Sequence, residues 1–183
     1  MALNLLDQPR ISRVLFHPRL ERSSALAPGT PVSVPVAPGV NIGGRLYLAA
    51  RASPLILFFH GNGEIATDYA DLAPLYTQLG LSLLVMDYRG YGASQGTPTA
   101  TNLLADALAL YLSLANICRA HNLAPAQRYV MGRSLGSASA LEITARFSGE
   151  LAGLILDSGF ARTFALLAQL GVCVPGADEA RDG

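Results

Sequence analysis

The chain has little charge, few cysteines and no long apolar run, and each shortage excludes a class of protein. Charged residues make up 14% of 183 and the formal net charge is zero, so no basic surface for nucleic acid is expected. The two cysteines, Cys118 and Cys173, lack metal or redox spacing and are interpreted as ordinary thiols of a reducing compartment. No run of about 18 apolar residues occurs, so no membrane-spanning helix is predicted.

The first twenty residues also lack the pattern of a secretion signal. A charged leading segment is missing, and polar residues or proline interrupt the apolar positions. The interrupting residues are Asp7, Pro9, Arg10 and Arg13. A cytoplasmic location is therefore expected.

What the chain does contain is apolar residues, 51% of the total, which is enough for one domain with a sizeable core. Near the start, Val32, Val34 and Val36 alternate with other residues among several prolines, which predicts an edge strand. Residues 41–44 have the composition of a hairpin turn, and residues 45–50 are predicted to form the partner strand. The sequence thus predicts an N-terminal β-hairpin.

Four later segments are apolar without alternation, which is typical of strands covered on both faces of a sheet. They are residues 54–59, 81–86, 129–131 and 151–156. Polar, glycine-bearing loops follow all four, and parallel strands bring such loops to one edge.

Helical patterns separate these strands. Between the first two, an inward face is predicted for Tyr69, Leu72, Tyr76 and Leu79, with Gly80 as the cap. The predicted helices span residues 66–79, Thr99 or Thr101 to about His121, the residues after Ser134, and 164–170. Strand–helix alternation predicts a doubly wound, mostly parallel α/β sheet.

One pentapeptide stands out, Gly132-Arg133-Ser134-Leu135-Gly136. A short apolar strand precedes it, and a helical pattern follows with Leu135, Ala138, Leu141 and Ala145 on one face. Strand, tight turn and helix are the context in which a serine hydroxyl is presented as a nucleophile. Alone, the pentapeptide is also compatible with an ordinary glycine–serine turn.

Together with two further motifs, this segment resembles the α/β-hydrolase superfamily of serine hydrolases. The motifs are His60-Gly61-Asn62-Gly63, the sequence DYRGYGAS at residues 87–94, and the pentapeptide. The resemblance covers residues 30–170 and is closest to the lidless, serine aminopeptidase-like group. It divides the chain into an N-terminal extension, 1–27, and a partial α/β-hydrolase domain, 28–183, that lacks the last strands.

The resemblance also implies roles. Ser134 resembles the nucleophile, and the backbone N–H groups of Asn62 and Leu135 resemble the oxyanion hole. Asp87 and Arg89 are expected to anchor a loop. Asp106 and His121 are expected to be solvated helix residues. Support of the two catalytic loops is implied for His60, Gly61, Gly63, Gly132 and Gly136. A small acyl substrate is implied, with no cofactor or metal.

The chain departs from the family in its histidines. In the family, the catalytic acid and histidine follow later strands, whereas here no histidine follows Ser134. Those present are His17, His60 and His121. Asp157 ends the strand after the nucleophile, where the group usually has a structural acid. The triad is therefore incomplete, and the chain is interpreted as C-terminally truncated.

Three readings remain open. The first is a serine hydrolase acting on a carboxylic ester, amide or thioester through an acyl-enzyme on Ser134, and inactive as this truncated chain. The others are a non-catalytic α/β-hydrolase-like binding domain and a defective gene fragment. The strand order of the family implies that strand 151–156 is an uncovered apolar edge in this chain, which predicts self-association.

Overall fold

A computed structural model describes residues 5–21, 27–172 and 174 of the chain, and its centre is a six-stranded sheet. The strand order is β1-β2-β4-β3-β5-β6, with β1 and β2 antiparallel to their neighbours and the remaining pairs parallel. This confirms the predicted doubly wound, mostly parallel sheet with an N-terminal hairpin. The strands are β1 (Thr30–Ala37), β2 (Val40–Tyr47), β3 (Leu55–Phe59), β4 (Ser82–Met86), β5 (Arg128–Arg133) and β6 (Gly153–Asp157).

Helices cover both faces of this sheet. They are α1 (Pro9–Leu15), α2 (Ala73–Gln78), α3 (Ala100–Ala120), α4 (Gly136–Phe147) and α5 (Thr163–Gln169), with 3-10 turns at Ala66–Ala70 and Ser148–Glu150. The hydroxyl of Thr99 caps α3 by accepting a hydrogen bond from the Asn102 N–H at 3.1 Å. The described part of the N-terminal segment belongs to the same core, because Ile11, Leu15 and Phe16 are buried there.

The central strands β3 and β4 are buried along their whole length. Successive residues point to opposite faces, so Leu57 joins the core beneath α1, α3 and α4, whereas Ile56 and Phe58 join the core beneath α2. Because both faces are covered, every position except Ser82 is apolar. This burial on both faces explains the apolar runs seen in the sequence.

Among the described helices, α3 is long and apolar enough by length and composition alone to cross a membrane. Its apolar positions serve the core, where residues such as Leu110 and Leu114 are almost fully buried. A buried core helix meets the same test as a spanning one, so the absence of a span stays a prediction.

The hairpin turn lies earlier than predicted. It falls at Pro38 and Gly39, where Gly39 has φ +71°, and residues 41–44 belong to β2. Glycine is needed inside this strand because a Cβ at Gly44 would lie 2.6 Å from the sulfur of Met86 on β4. The glycines that suggested a turn therefore permit close strand packing instead.

The helix predicted over residues 66–79, with Pro74 near its first turns or at a kink, is divided into two elements. A 3-10 turn ends at Ala70, and α2 begins at Ala73 with Pro74 in its first turn, where its missing N–H costs no hydrogen bond. The break rotates the later residues, so Leu72 and Leu79 are 48% and 78% exposed rather than inward. The other two residues of the predicted face are Tyr69, which is buried, and Tyr76, which is partly buried. Gly80 ends α2 with φ +77°, as predicted.

The prediction that strand 151–156 is buried was also wrong. β6 is the last strand in the sheet order, and Ile155 and Leu156 are 38% and 45% exposed. Nothing within the described residues pairs with its outer side. Of the two cysteines, Cys118 is buried on α3 and Cys173 lies outside the described residues.

Candidate active site

The loops after β3, β4, β5 and β6 meet at one edge of the sheet. Contacts join them: His60 lies 3.2 Å from Asp87, Arg133 reaches both Glu64 and Asp157, and the Ser134 N–H donates to the Asp157 carbonyl at 2.9 Å. The polar segments that the sequence places after each strand are therefore brought together.

Ser134 is exposed at the junction of β5 and α4 and has a left-handed backbone, φ +48°. This conformation costs a residue with a Cβ about 1–2 kcal/mol, so the surrounding structure must hold it. Its carbonyl accepts hydrogen bonds from the N–H of Ser137 at 3.0 Å and from the Ser137 hydroxyl at 2.6 Å. The hydroxyl of Ser134 is thus presented on a strained strand–turn–helix junction.

Glycine on either side of this junction lets α4 approach β3. A Cβ at Gly136 would overlap the carbonyl oxygen of Phe59, and a Cβ at Gly132 would overlap the carbonyl of Gly136. The neighbouring atoms are backbone in both cases and cannot turn aside. These two glycines bring Ser134 next to the loop after β3.

Asn62 lies in that loop, and its side chain is held by hydrogen bonds. Its Oδ1 accepts from the Tyr91 hydroxyl at 2.7 Å and from the His17 N–H at 2.9 Å. Its backbone N–H, like that of Leu135, donates to no group in residues 5–21, 27–172 and 174. Gly63 follows with φ +76°, which a residue with a Cβ would adopt only under strain.

The ring of His60 is fully buried and both its nitrogens face oxygen atoms. Nδ1 lies 2.8 Å from the Gly61 carbonyl and Nε2 lies 3.2 Å from Asp87 Oδ1. The Tyr88 hydroxyl donates to the His60 carbonyl. With both nitrogens occupied, this ring is not available to Ser134. His121 caps the far end of α3, in a groove beside β1 and away from these loops.

The loop after β4 is fastened by two carboxylates. Asp87 accepts the Ala66 N–H at 2.8 Å, and Asp106 on α3 accepts from Arg89 at 2.7 and 2.8 Å. The expectation that Asp106 is solvated was wrong: it is 6% exposed, because the bidentate pair with Arg89 neutralises it. Asp87 and Arg89 have the anchoring contacts expected of them.

Sequence reasoning missed a chain of ionic contacts that passes beside Ser134. Glu64 accepts the Gly61 N–H at 2.7 Å and the Tyr69 hydroxyl at 2.5 Å. Arg133 lies 3.1 Å from the other Glu64 oxygen and 2.5 Å from Asp157. Glu64 directly follows the His60 motif, which was a usable signal, whereas nothing in the sequence pairs residues 64, 133 and 157.

These contacts shift the pKa values of the two carboxyl groups. Partial burial raises the pKa of Glu64, but hydrogen bonds from Tyr69, Gly61 and Arg133 outweigh it and hold that pKa below its ordinary value. The hydrogen bond from Arg133 lowers the pKa of Asp157, whose side chain is partly exposed. Both carboxylates are thus ionised at neutral pH, and burial together with Glu64 raises the pKa of Tyr69.

His17 is a second residue that sequence reasoning did not place at this edge. Its Nδ1 lies 2.7 Å from Asn62 Nδ2, and its backbone N–H donates to the Tyr91 hydroxyl at 2.8 Å. The N-terminal segment therefore contacts the loop that carries Asn62. In the described part of the chain, no three His, Cys, Asp or Glu side chains group as a metal site requires.

Comparison with known proteins gives a consistent result. The sequence pattern of the serine aminopeptidase family (S33) of hydrolases matches residues 50–170. An uncharacterised protein of Mycobacterium tuberculosis is 34% identical over 151 residues, covering 81% of this chain and 50% of that protein. The human α/β hydrolase domain-containing protein 17B is 36% identical over 116 residues, covering 59% of this chain and 38% of that protein.

Solved structures agree on the fold. An α/β hydrolase from Vibrio vulnificus superposes with a TM-score of 0.64 at 23% identity, covering 80% of this chain and 51% of that one. The esterase Pf2001 of Pyrococcus furiosus gives 0.60 at 18% identity, covering 79% and 57%. The chain spans about half the length, or less, of the curated relatives described above.

Proposed function

The chain belongs to the serine aminopeptidase family (S33) of α/β hydrolases, and from that premise we propose that Ser134 is the nucleophile of a serine hydrolase. The substrate is a small carboxylic ester, amide or thioester, and the reaction passes through an acyl-enzyme. One observation carries the proposal: the exposed serine has a left-handed backbone, and the next residue, Leu135, has an N–H without an acceptor in the described chain.

In this mechanism the Ser134 oxygen bonds to the acyl carbon as its proton passes to a base. Negative charge then develops on the substrate carbonyl oxygen, where the N–H groups of Asn62 and Leu135 donate to it. Removal of one such donor commonly costs about 10²–10³ in kcat. The leaving group departs with a proton, and water releases the acyl group from the serine.

The base is the missing part of the proposal. Both nitrogens of His60 are occupied, and the sequence holds no histidine between Ser134 and Gly183. A neutral serine hydroxyl is a weak nucleophile, and loss of the base costs about 10⁶ in kcat in a comparable triad. We therefore expect the 183-residue chain alone to have negligible esterase activity. For a longer protein that contained this chain and a base, we propose hydrolysis through Ser134.

The decisive experiment supplies the base from solution. Hydrolysis of p-nitrophenyl butyrate is measured against imidazole concentration for the chain and for its Ser134→Ala variant. Free imidazole can accept the serine proton, so we expect a rate that rises with imidazole and that exceeds the rate of the variant. The variant is the control for ester hydrolysis by imidazole itself. Equal rates in the two proteins would remove Ser134 from the reaction.

The second candidate is a non-catalytic α/β-hydrolase-like binding domain. The contacts of His60 favour it, because both ring nitrogens face oxygen atoms and the ring is not available to Ser134. Mass spectrometry separates the two candidates, because a hydrolase incubated with a fluorophosphonate and imidazole gains a covalent adduct on Ser134. A binding domain would remain at its unmodified mass.

A further inference from the structure

We propose that Arg133 is a positioning residue that holds the loops on the two sides of Ser134 at a fixed separation, and thereby places the Asn62 and Leu135 N–H donors. This inference rests on the proposed function. Arg133 is the residue before the serine, and its guanidinium contacts Glu64 in the loop after β3 and Asp157 at the end of β6. We call Glu64, Arg133 and Asp157 the ionic clamp.

One arm of the clamp controls the Asn62 loop. Arg133 Nε lies 3.1 Å from Glu64 Oε1, while Glu64 Oε2 accepts the Gly61 N–H at 2.7 Å. Gly61 is the residue before Asn62, so the position of the Glu64 carboxylate fixes the peptide next to the Asn62 donor. The Tyr69 hydroxyl, 2.5 Å from the same oxygen, donates a second hydrogen bond to the carboxylate.

The other arm controls the serine. Arg133 Nη1 lies 2.5 Å from Asp157 Oδ2, and the carbonyl of Asp157 accepts the Ser134 N–H at 2.9 Å. Arg133 and Asp157 are also paired in the register of β5 and β6. The Arg133 side chain thus connects two parts of the site. Through Glu64 it reaches the peptide before Asn62, and through Asp157 it reaches the backbone group that holds Ser134, the residue before Leu135.

Stability alone does not account for this arrangement. The Arg133 side chain is 44% exposed, and exposed ion pairs contribute little to folding. Catalysis is far more sensitive to placement, since a shift of about 1 Å can cost about 10² in rate. The planar guanidinium presents several donors in a fixed geometry, which a lysine ammonium does not reproduce.

The first test measures imidazole-supported hydrolysis by Arg133→Met, Arg133→Lys and a matched control, Arg146→Met. Arg146 pairs with Glu142 on the exposed face of α4, so its loss removes the same charge away from the site. We expect Arg133→Met to lower kcat about tenfold with KM unchanged, Arg133→Lys to recover part of the loss, and the control to match the parent chain.

The second test detects the ionic clamp without measuring catalysis. It follows the chemical shift of the Gly61 amide in ¹H–¹⁵N spectra as the pH is changed. The groups facing Glu64 are the Tyr69 hydroxyl and Arg133, with Asp157 on the far side of the guanidinium. The amide shift should follow ionisation of Glu64. Since Arg133 favours the ionised form, Arg133→Met should move the midpoint to higher pH, while Arg146→Met should leave it in place.

The outcomes separate the two proposals. An unmoved midpoint in Arg133→Met overturns the clamp whatever the rates, and a moved midpoint with unchanged kcat leaves Arg133 a structural residue only. Equal hydrolysis by the chain and its Ser134→Ala variant overturns the proposed function and the positioning role with it. In that case a moved midpoint would still show the contact between Arg133 and Glu64. A fall in the Arg146→Met rate equal to that of Arg133→Met would contradict the positioning role.

Discussion

Ser134 is held from two sides, and the two sides are built differently. On the side of β3, Gly136 lies against the backbone of Phe59, and the loop beyond is fixed by the buried pair of His60 and Asp87. On the side of β6, the contacts are one backbone hydrogen bond to Asp157 and one exposed ion pair to Arg133.

The difference shows which part of the candidate site the described fold determines. Buried polar groups on the β3 side are costly to disturb, because each lost partner leaves an unsatisfied group in the interior. The contacts on the β6 side are open to water and weakly held. The core therefore fixes the start of the Asn62 loop at His60, and the ionic clamp acts on the peptide before Asn62. The loop after β6 is held by the exposed ion pair and the single backbone hydrogen bond.

The largest contrast is expected from two glycine substitutions. Gly136→Ala places a Cβ on the Phe59 carbonyl, and relief requires α4 to move away from β3, so we expect a loss of about 3 kcal/mol or more in unfolding free energy. At Gly159, beyond β6, a Cβ would lie 3.2 Å from Ser137 Cβ, and Gly159→Ala should cost under about 1 kcal/mol. Urea denaturation measures both. Equal losses would show that the sides are equally tight.

A second contrast compares the two aspartates. Asp87→Ala leaves the Ala66 N–H and the His60 ring without an acceptor in the interior, which should cost about 2–3 kcal/mol. Asp157→Ala removes a carboxylate that is open to water, 38% exposed, and should leave the denaturation midpoint nearly unchanged. Thermal unfolding of the two variants provides the measurement. A large loss from Asp157→Ala would mean that the β6 side contributes to folding.

The third test concerns the two edges of the sheet. The β1 edge carries Pro31 and Pro35, which block pairing, whereas β6 has an unpaired outer side with Ile155 exposed. We expect the chain to self-associate through β6. Ile155→Lys should weaken that association at least tenfold, about 1.4 kcal/mol, and Ser33→Lys on β1 should not. Sedimentation at several concentrations reports the dimer fraction, and a monomer at all of them would contradict the proposal.

The smallest effect is expected at the two serines with left-handed backbones, Ser134 with φ +48° and Ser158 with φ +55°. Glycine relieves the strain of about 1–2 kcal/mol but adds freedom to the unfolded chain, so each serine-to-glycine variant should gain about 0.5 kcal/mol. Calorimetry of both variants tests this. A gain at Ser158 alone would mean that contacts on the β3 side have removed the strain at Ser134.

The fold could be predicted because its signals are local. The apolar runs of β3 and β4 show burial on both faces, and the glycines of the pentapeptide mark a turn that no other residue fits. Local signals also limit the prediction over residues 66–79: the apolar spacing is helical throughout, and the proline marks a break, but the helix begins only at Ala73.

The candidate site could be predicted only in part. Ser134 and the Asn62 loop carry recognisable motifs. The clamp, by contrast, joins Arg133 to Glu64 across 69 positions and to Asp157 across 24 positions, through exposed side chains. Such pairs leave no periodic trace in a single sequence. His17 reaches Asn62 across 45 positions, which is equally invisible before the chain folds.

The strand order also has a consequence for the order of synthesis. β1 and β2 leave the ribosome before the other strands. The next strand made, β3, does not pair with β2, because β4 lies between them in the sheet. Until Ser82–Met86 has emerged, which takes a few seconds at about 5–20 residues per second, the hairpin has no third strand. An isolated two-stranded ribbon is only marginally stable in water. During that interval the outer edge of β1 lacks the N–H donors that pairing with another strand would need at Pro31 and Pro35.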